Sequence, residues 1–177
     1  YSRVHANSRA AANTLAGGVS GLLRKNKVKV IKGRARLAGP GMVAIEGGET
    51  LSAKNILIAT GSRPLEVKGF EFDEQQVLSS TGILDMKTLP QSLVILGGGA
   101  IGCEFAFVMN AFGVAVTVVE MMEHLLPSED FECAAVLAAS FQKAGITVHT
   151  GTRANSLARS ANGVSVALTT PAGELTV

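Results

Sequence analysis

The sequence predicts an α/β protein in which short parallel strands alternate with helices. Residues 92–96 form an apolar run that ends in glycines, and a helical pattern follows over residues 100–112. A β-branched run covers residues 114–119, and a third run at residues 146–149 comes after another helical pattern. The order strand, helix, strand, helix, strand is half of a doubly wound sheet.

The turn after the first of these strands carries a glycine fingerprint. Gly97, Gly99 and Gly102 have the spacing G-x-G-x-x-G. The first glycine permits the turn, the second lets the backbone approach a pyrophosphate, and the third lets helix and strand pack closely. Phosphates would lie at the N-terminus of the helix, where free N–H groups and the helix dipole favour an anion. The pattern therefore favours Rossmann-like three-layer nucleotide-binding domains.

An acidic residue stands where this fingerprint requires one. Glu120 follows the β-branched strand directly, roughly 20 residues after the glycines. Its carboxylate can accept hydrogen bonds from both ribose hydroxyls of an adenosine, whereas a 2′-phosphate would be repelled and would favour an arginine. Met121 and Met122 follow, with no Arg or Lys nearby. The sequence therefore predicts an NAD site rather than an NADP site.

The flanking regions predict smaller elements around the parallel strands. Residues 4–23 predict a helix, and residues 27–31 and 55–59 predict strands, the second of them buried. Residues 42–51 contain a glycine pair between two short apolar runs, which predicts an antiparallel hairpin. Residues 156–177 alternate with period two and predict a small antiparallel meander. That pattern stops in mid-strand, which favours a piece of a longer protein.

The two helices between the parallel strands have their own boundary signals. Gly113 and Gly145 are predicted to end them. Ser128 is predicted to cap the second helix, whose first turn carries acids. Apolar residues recur at helical spacing on both helices: Ile101, Phe105, Val108 and Phe112 on the first, and Phe131, Ala134, Ala135, Ala138 and Phe141 on the second.

Charge and cysteine usage exclude several classes of function. Residues 3–36 hold nine of the sixteen Lys and Arg and no Asp or Glu, although the net charge is only +2. The segment lacks interleaved aromatics, and residues 27–30 alternate Lys and Val as on a solvated strand, so nucleic acid is not the favoured partner. No apolar stretch is long enough for a bilayer, and no secretory signal begins the chain. Cys103 and Cys133 match neither a metal nor a redox spacing, which favours reduced thiols in the cytoplasm.

Four segments in order resemble the pyridine nucleotide-disulfide oxidoreductases. They are Asn55-Ile56-Leu57-Ile58-Ala59-Thr60-Gly61-Ser62-Arg63-Pro64, Ser79-Ser80-Thr81-Gly82, Gly97-Gly98-Gly99-Ala100-Ile101-Gly102-Cys103-Glu104 and Val116-Thr117-Val118-Val119-Glu120. The gaps between them are similar to those of the family. The second segment and the NAD-type acid are most similar to its dihydrolipoamide dehydrogenase branch.

The resemblance implies two domains and two cofactors. Residues 1–80 would be the later part of an FAD-binding domain, and residues 81–177 an NAD-binding domain that is incomplete at its C-terminal end. FAD contacts are implied for Ala35, Thr60, Gly61 and Ser62. NAD contacts are implied for Gly97, Gly98, Gly99, Ala100, Ile101, Gly102, Glu120 and Ala154, and a contact on the flavin and nicotinamide side for Glu104. The position of Glu104 near the start of a helix gives a second explanation for an acid there, namely that its negative charge interacts favourably with the helix dipole.

The implied reaction needs groups that these residues do not supply. The family couples hydride transfer between flavin and NAD to dithiol–disulfide exchange, here with dihydrolipoamide. Its redox cysteine pair and its His-Glu pair have no counterpart in this sequence, so no catalytic residue is assigned. The sequence also predicts no metal ligand. The implied partners are a lipoyl-bearing acyltransferase or a small disulfide or dithiol, and a second copy of the chain in a homodimer. Alternatives are a stand-alone NAD-binding module without catalysis, mercuric reductase, or an NADH-dependent flavin reductase.

Overall fold

The computed structural model describes residues 1–177 as four helices and nine strands. The chain divides into two compact units, one of residues 6–63 and one of residues 64–177 together with residues 1–5. In chain order the elements are α1 Ser2–Lys25, β1 Ala35–Gly39, β2 Met42–Ile45, β3 Thr50–Ser52, α2 Ser80–Asp85, β4 Ser92–Leu96, α3 Ala100–Ala111, β5 Ala115–Val119, α4 Phe131–Ala144, β6 Thr147–His149, β7 Arg153–Ser160, β8 Gly163–Thr170 and β9 Gly173–Thr176.

The unit of residues 6–63 contains most of α1 and a three-stranded antiparallel sheet. The sheet has the order β1-β2-β3, and the predicted hairpin is confirmed, with Ala44 opposite Thr50. The helix predicted at residues 4–23 is confirmed as α1, whose last turn carries Arg24 and Lys25 where the dipole favours cations. No residue of this unit is buried, so its elements are held by local hydrogen bonds rather than by a core.

The strand predicted at residues 27–31 is wrong. The chain leaves α1 through a Schellman motif, in which Val28 N–H donates to the Leu23 carbonyl and Lys27 N–H to the Arg24 carbonyl. Lys27 has a φ of +55°, the left-handed conformation that this motif requires. The strand that pairs with β2 starts later, at Ala35.

The buried strand predicted at residues 55–59 is also wrong in this chain. The segment forms no strand, and the Leu57 side chain is 90% exposed. A strand needs the N–H and C=O groups of a neighbour to pair with, and none of the nine strands pairs with this segment. The apolar pattern is present but has no partner.

The larger unit consists of three layers. Its central sheet has the parallel order β4-β5-β6, which confirms the predicted strand and helix alternation. One face packs against α3 and α4 in a core that includes Met109, Val118 and Phe141. The other face packs against the antiparallel β7–β9 meander, where Val119 meets Leu168. The α/β fold class and the predicted C-terminal meander are therefore confirmed.

Two details of the helices differ from the sequence expectation. The N-cap of α4 is Asp130, whose Oδ1 accepts from Glu132 N–H at 2.8 Å, and not Ser128. The helix begins at Phe131, so Ser128 stands too early to reach its first free amides. In α3 the buried residues are Cys103, Ala106 and Met109, whereas Ile101, Val108 and Phe112 are exposed and Phe105 is partly buried. Two of the three buried residues, Cys103 and Ala106, are small, in keeping with the close approach of α3 to β4 and its turn at Gly102.

Candidate nucleotide-binding site

The glycine loop joins β4 to α3 and uses its glycines in different ways. Gly97 has a φ of +108°, which favours glycine at the turn. A Cβ at Gly102 would collide with the Gly97 carbonyl oxygen, so the third glycine permits the close approach of helix and turn. A Cβ at Gly99 would meet no atom within 4 Å. The space in front of Gly99 is therefore open to a ligand.

The peptide groups of Gly98 are fully engaged. Its N–H donates to Glu120 Oε2 at 2.6 Å, and its carbonyl accepts from Leu126 N–H at 2.7 Å and from the Cys103 thiol at 3.2 Å. A Cβ at this buried glycine would lie 2.6 Å from Leu125 Cδ2. Gly98, which lies between the first two fingerprint glycines, is thus held through both its N–H and its carbonyl.

Glu120 lies at the carboxyl end of β5 and is only 8% exposed. Its second carboxylate oxygen, Oε1, accepts from Met122 N–H at 2.8 Å. Its backbone N–H donates to the His149 carbonyl of the neighbouring strand at 2.8 Å. A carboxylate has about four lone-pair sites, so two hydrogen bonds leave capacity for the hydroxyls of a ribose.

The start of α3 supplies free donors next to this carboxylate. Gly97 N–H bonds to the Val119 carbonyl at 2.8 Å, and Gly98 N–H is held by Glu120. The amides of Ala100 and Ile101 belong to the first turn of the helix, where no intrahelical acceptor exists, and the N-cap Gly99 has no side chain to cap them. Free amides and the positive end of the dipole favour an anion at this position.

Comparison with known proteins places this site in a family. Residues 2–175 match the family model of the pyridine nucleotide-disulphide oxidoreductases. The chain belongs to that family. It is 42% identical over 165 residues to a dihydrolipoyl dehydrogenase of Chlorobaculum tepidum, covering 91% of this chain and 35% of the relative. A dihydrolipoyl dehydrogenase of Bacillus subtilis is 38% identical over 165 residues, covering 86% and 35%. The chain thus spans about a third of the length of these relatives.

Solved structures agree with the family assignment. LpdA from Mycobacterium tuberculosis superposes with a TM-score of 0.84 at 31% identity, over 99% of this chain and 40% of that one. The flavoprotein disulfide reductase RclA from Escherichia coli, which is induced by HOCl, gives a TM-score of 0.83 at 26% identity, over 99% and 40%. Both confirm that the predicted fold is the one this family uses.

The other residues that the family resemblance singled out lie in different surroundings. Glu104 is exposed and is the fifth residue of α3, so no acid stands in the first turn and the dipole explanation loses its basis. Ala154 is on β7 opposite Leu168 and is half-buried in the core between sheet and meander. Among the predicted NAD contacts, the structure brings residues 97–102 together with Glu120.

The residues predicted to contact FAD belong to the unit of residues 6–63. Ala35 begins β1, opposite Ile45, and borders an open depression together with Arg34 and Arg36. Residues 60–62 are exposed and form no regular element, and Gly61 has a φ of +73°. Their assignment to FAD stays a prediction.

Sequence reasoning missed the segment that follows Glu120. Leu126 bonds to Gly98 through its backbone N–H, and its φ of +50° is uncommon for leucine. Leu125 covers the loop with a side chain that is 1% exposed. A backbone donor cannot be recognised from the residue type. The two adjacent leucines before Pro127 are nevertheless a sequence signal for burial.

The two cysteines of the chain are both free. Cys103 is buried in α3, and burial, followed by the nearby Glu120 charge, raises the pKa of its thiol. Cys133 is exposed on α4. No group of three or more His, Cys, Asp or Glu is arranged to hold a metal ion, and none of the helices has the length and apolar character needed to cross a bilayer.

Proposed function

We propose that this chain binds NAD(H) on the loop of residues 97–102 and contributes to an FAD site, as part of a flavoprotein of the dihydrolipoyl dehydrogenase type. One observation carries the proposal. The buried Glu120 carboxylate is hydrogen-bonded to Gly98 beside the free amides of α3. The site thus pairs an acceptor for ribose hydroxyls with donors for a pyrophosphate.

Open space at the glycine loop supports the proposal in addition to the hydrogen-bonding groups. The space that a Cβ at Gly99 would enter is empty, so a pyrophosphate can approach the backbone there. Ala100 and Ile101 would donate their N–H groups to phosphate oxygens, and Glu120 would accept from the ribose. A bound nicotinamide supplies a hydride acceptor, and the role of these residues is to orient it.

The domain assignment forms part of the proposal. Residues 1–80 are the later part of an FAD-binding domain, and residues 81–177 are most of an NAD-binding domain. Ala35 and residues 60–62 would contact FAD. Ala154 would lie on the adenine side of NAD. Glu104 would face the flavin and nicotinamide, and its exposure in this chain leaves it accessible for that contact.

The proposed electron path runs from dihydrolipoamide through a redox disulfide and FAD to NAD. Two electrons and one proton leave as hydride to NAD, and a second proton is released as the dithiol becomes a disulfide. The names of the relatives support a lipoyl substrate. The proposed partner is therefore a lipoyl-bearing acyltransferase, with a small disulfide or dithiol as the alternative. A homodimer in the cytoplasm completes the proposal, and the two free cysteines are in keeping with a reducing compartment.

The decisive experiment changes the nucleotide preference at Glu120. In the full-length protein, Glu120→Arg should replace the ribose acceptor with a partner for a 2′-phosphate. The ratio of kcat/KM for NADH to that for NADPH should fall by at least about tenfold, the effect of roughly 1.4 kcal/mol. An unchanged ratio would show that Glu120 does not contact the ribose.

A matched control separates loss of the carboxylate from gain of charge. Met121→Arg adds the same cation at a side chain that is 67% exposed next to Glu120, while the carboxylate remains. NADH should still be used as well as by the wild type, because the ribose acceptor is present. If Met121→Arg lowers NADH use as much as Glu120→Arg does, charge near the site rather than the ribose contact explains the effect.

The unit of residues 64–177 also favours a second function, a binding module without catalysis. It contains its own core together with the whole of the glycine loop and Glu120. If the 177-residue chain unfolds cooperatively and NAD raises its thermal midpoint, the module is supported. FAD content and dihydrolipoamide-dependent NAD reduction of the full-length protein support the enzyme.

A further inference from the structure

We propose that Cys103 is a positioning residue for the cofactor loop, which acts with the Leu126 N–H to fix the Gly98 carbonyl. Gly98 is then an anchor of the loop, and the phosphate is left to the amides at the start of α3. This inference rests on the proposed NAD site and adds residues to it that the glycine fingerprint does not contain.

Both the N–H and the carbonyl of Gly98 are hydrogen-bonded within the protein. On the amide side, Glu120 Oε2 takes the N–H at 2.6 Å. On the carbonyl side, Leu126 N–H donates at 2.7 Å and the Cys103 thiol at 3.2 Å. With the N–H committed to Glu120, Gly98 has no donor left for a phosphate. The amides of Ala100 and Ile101 remain free for it.

Orientation of this carbonyl matters because it lies beside an anion site. A carbonyl oxygen turned towards a pyrophosphate would repel it, whereas free N–H groups attract it. The bonds from the Leu126 N–H and the Cys103 thiol fix the direction in which this oxygen points. Leu126 adopts a φ of +50° in making its bond, a conformation that persists only where the surroundings hold it.

The thiol is suited to this role by its protonation state and its burial. Burial and the Glu120 charge raise the pKa of Cys103, so the sulfur keeps its proton and remains a donor at neutral pH. The side chain is 5% exposed in the core of α3 and the sheet, so its direction is fixed by packing. The same carboxylate that holds the Gly98 N–H thus favours the donor form of the thiol on the other side.

The test measures NAD⁺ affinity of the full-length protein by isothermal titration calorimetry. Cys103→Ala and Cys103→Val both remove the donor, and because alanine is smaller and valine is larger than cysteine, an effect shared by the two variants does not come from side-chain volume. Both should raise the Kd for NAD⁺ about fivefold, the effect of losing one hydrogen bond. Cys103→Ser keeps a donor and should bind within about twofold of the wild type. The KM for NAD⁺ should follow the Kd while kcat changes little, because the loop positions the nucleotide rather than reacting with it.

A core variant of the same helix separates positioning from stability. Met109→Ala creates a cavity in the core without touching Gly98, so it should lower the thermal midpoint and leave the Kd unchanged. The inference is overturned if the alanine and valine variants at position 103 bind NAD⁺ like the wild type, or if serine is as impaired as alanine. A wild-type protein that does not bind NAD⁺ would overturn the proposed function, and this inference with it.

Discussion

The chain contains two apolar runs with the same pattern and different outcomes. Residues 55–59 and residues 92–96 both end in a turn whose glycine has a positive φ, Gly61 at +73° and Gly97 at +108°. Residues 92–96 form β4, which pairs with β5 along its whole length. Residues 55–59 form no strand and pair with none. An apolar run therefore shows the capacity for a strand, and pairing decides whether the strand forms.

The difference extends to the glycine turns that follow. After β4 the chain enters α3, which returns against the sheet so closely that Gly102 leaves no room for a Cβ. After residues 55–59 the next helix begins only at Ser80, and a Cβ at Gly61 would meet no atom within 4 Å. Of these two glycine turns, the one after β4 is closely packed because a helix returns against it.

The largest expected effect contrasts the glycines of the two turns. Gly102→Ala places a Cβ against the Gly97 carbonyl, and its cost should be about 3 kcal/mol in the free energy of unfolding. Gly61→Ala meets no atom and suffers only backbone strain at positive φ, about 1 kcal/mol. Chemical denaturation of the two variants measures both. Equal costs would mean that α3 does not pack on the turn as described.

The second prediction contrasts the two runs themselves. Ile95→Asn places an amide against the core of the larger unit and should destabilise it by about 2 kcal/mol. Leu57→Asn changes a side chain that is 90% exposed and should stay within about 0.5 kcal/mol in the 177-residue chain. Urea denaturation of both variants tests this. A large effect of Leu57→Asn in the full-length protein would show that the run has a partner there, as the proposed FAD domain requires.

How far the sequence predicts this molecule follows from the same contrast. The strands of the central sheet, α3, α4 and the meander could be predicted because their patterns lie close together along the chain and meet one another. Residues 55–59 could not, because pattern alone does not reveal whether a neighbouring strand is present. At the candidate site, the turn at Gly97, the close approach at Gly102 and the acid after β5 could be predicted from the fingerprint. The Leu126 N–H could not, because backbone donors carry no residue signature.

The third prediction separates ligand space from packing space within the loop. Gly99→Ala adds a methyl group where no atom lies within 4 Å, and its extended backbone suits alanine, so stability should change by less than about 0.5 kcal/mol. The same methyl would occupy the space proposed for the pyrophosphate, so the Kd for NAD⁺ should rise about tenfold or more. Calorimetric titration and thermal unfolding of one sample measure both. If the Kd for NAD⁺ is unchanged, the pyrophosphate does not bind in the space in front of Gly99.

The smallest expected effect concerns Asp73, in the segment between the two runs. Its Oδ1 accepts N–H bonds from Val77, Gln75 and Gln76, and its Oδ2 accepts from Arg159 at 3.2 Å on the meander. The amides, led by that of Val77, and Arg159 hold the pKa of this carboxyl well below its usual range. The bonds fasten the segment to β7, but the site is exposed, so salt and water weaken the ion pair.

The direction of the pH dependence follows from the lowered pKa. A carboxyl whose pKa is lower in the folded state stabilises it fully above its usual value near 4, and this is lost as the pH falls through the lower folded value. Above pH 5, Asp73→Asn should lower the thermal midpoint by a small amount. Below pH 4, the difference in thermal midpoint between the variant and the wild type should shrink. Glu49→Gln, in the exposed pair with Lys29 of the smaller unit, is the control, with no measurable change expected. Protonation removes the ionised Asp73 carboxylate at acid pH. If the difference in thermal midpoint between Asp73→Asn and the wild type grew towards acid pH, the ionised carboxylate would not be the stabilising form.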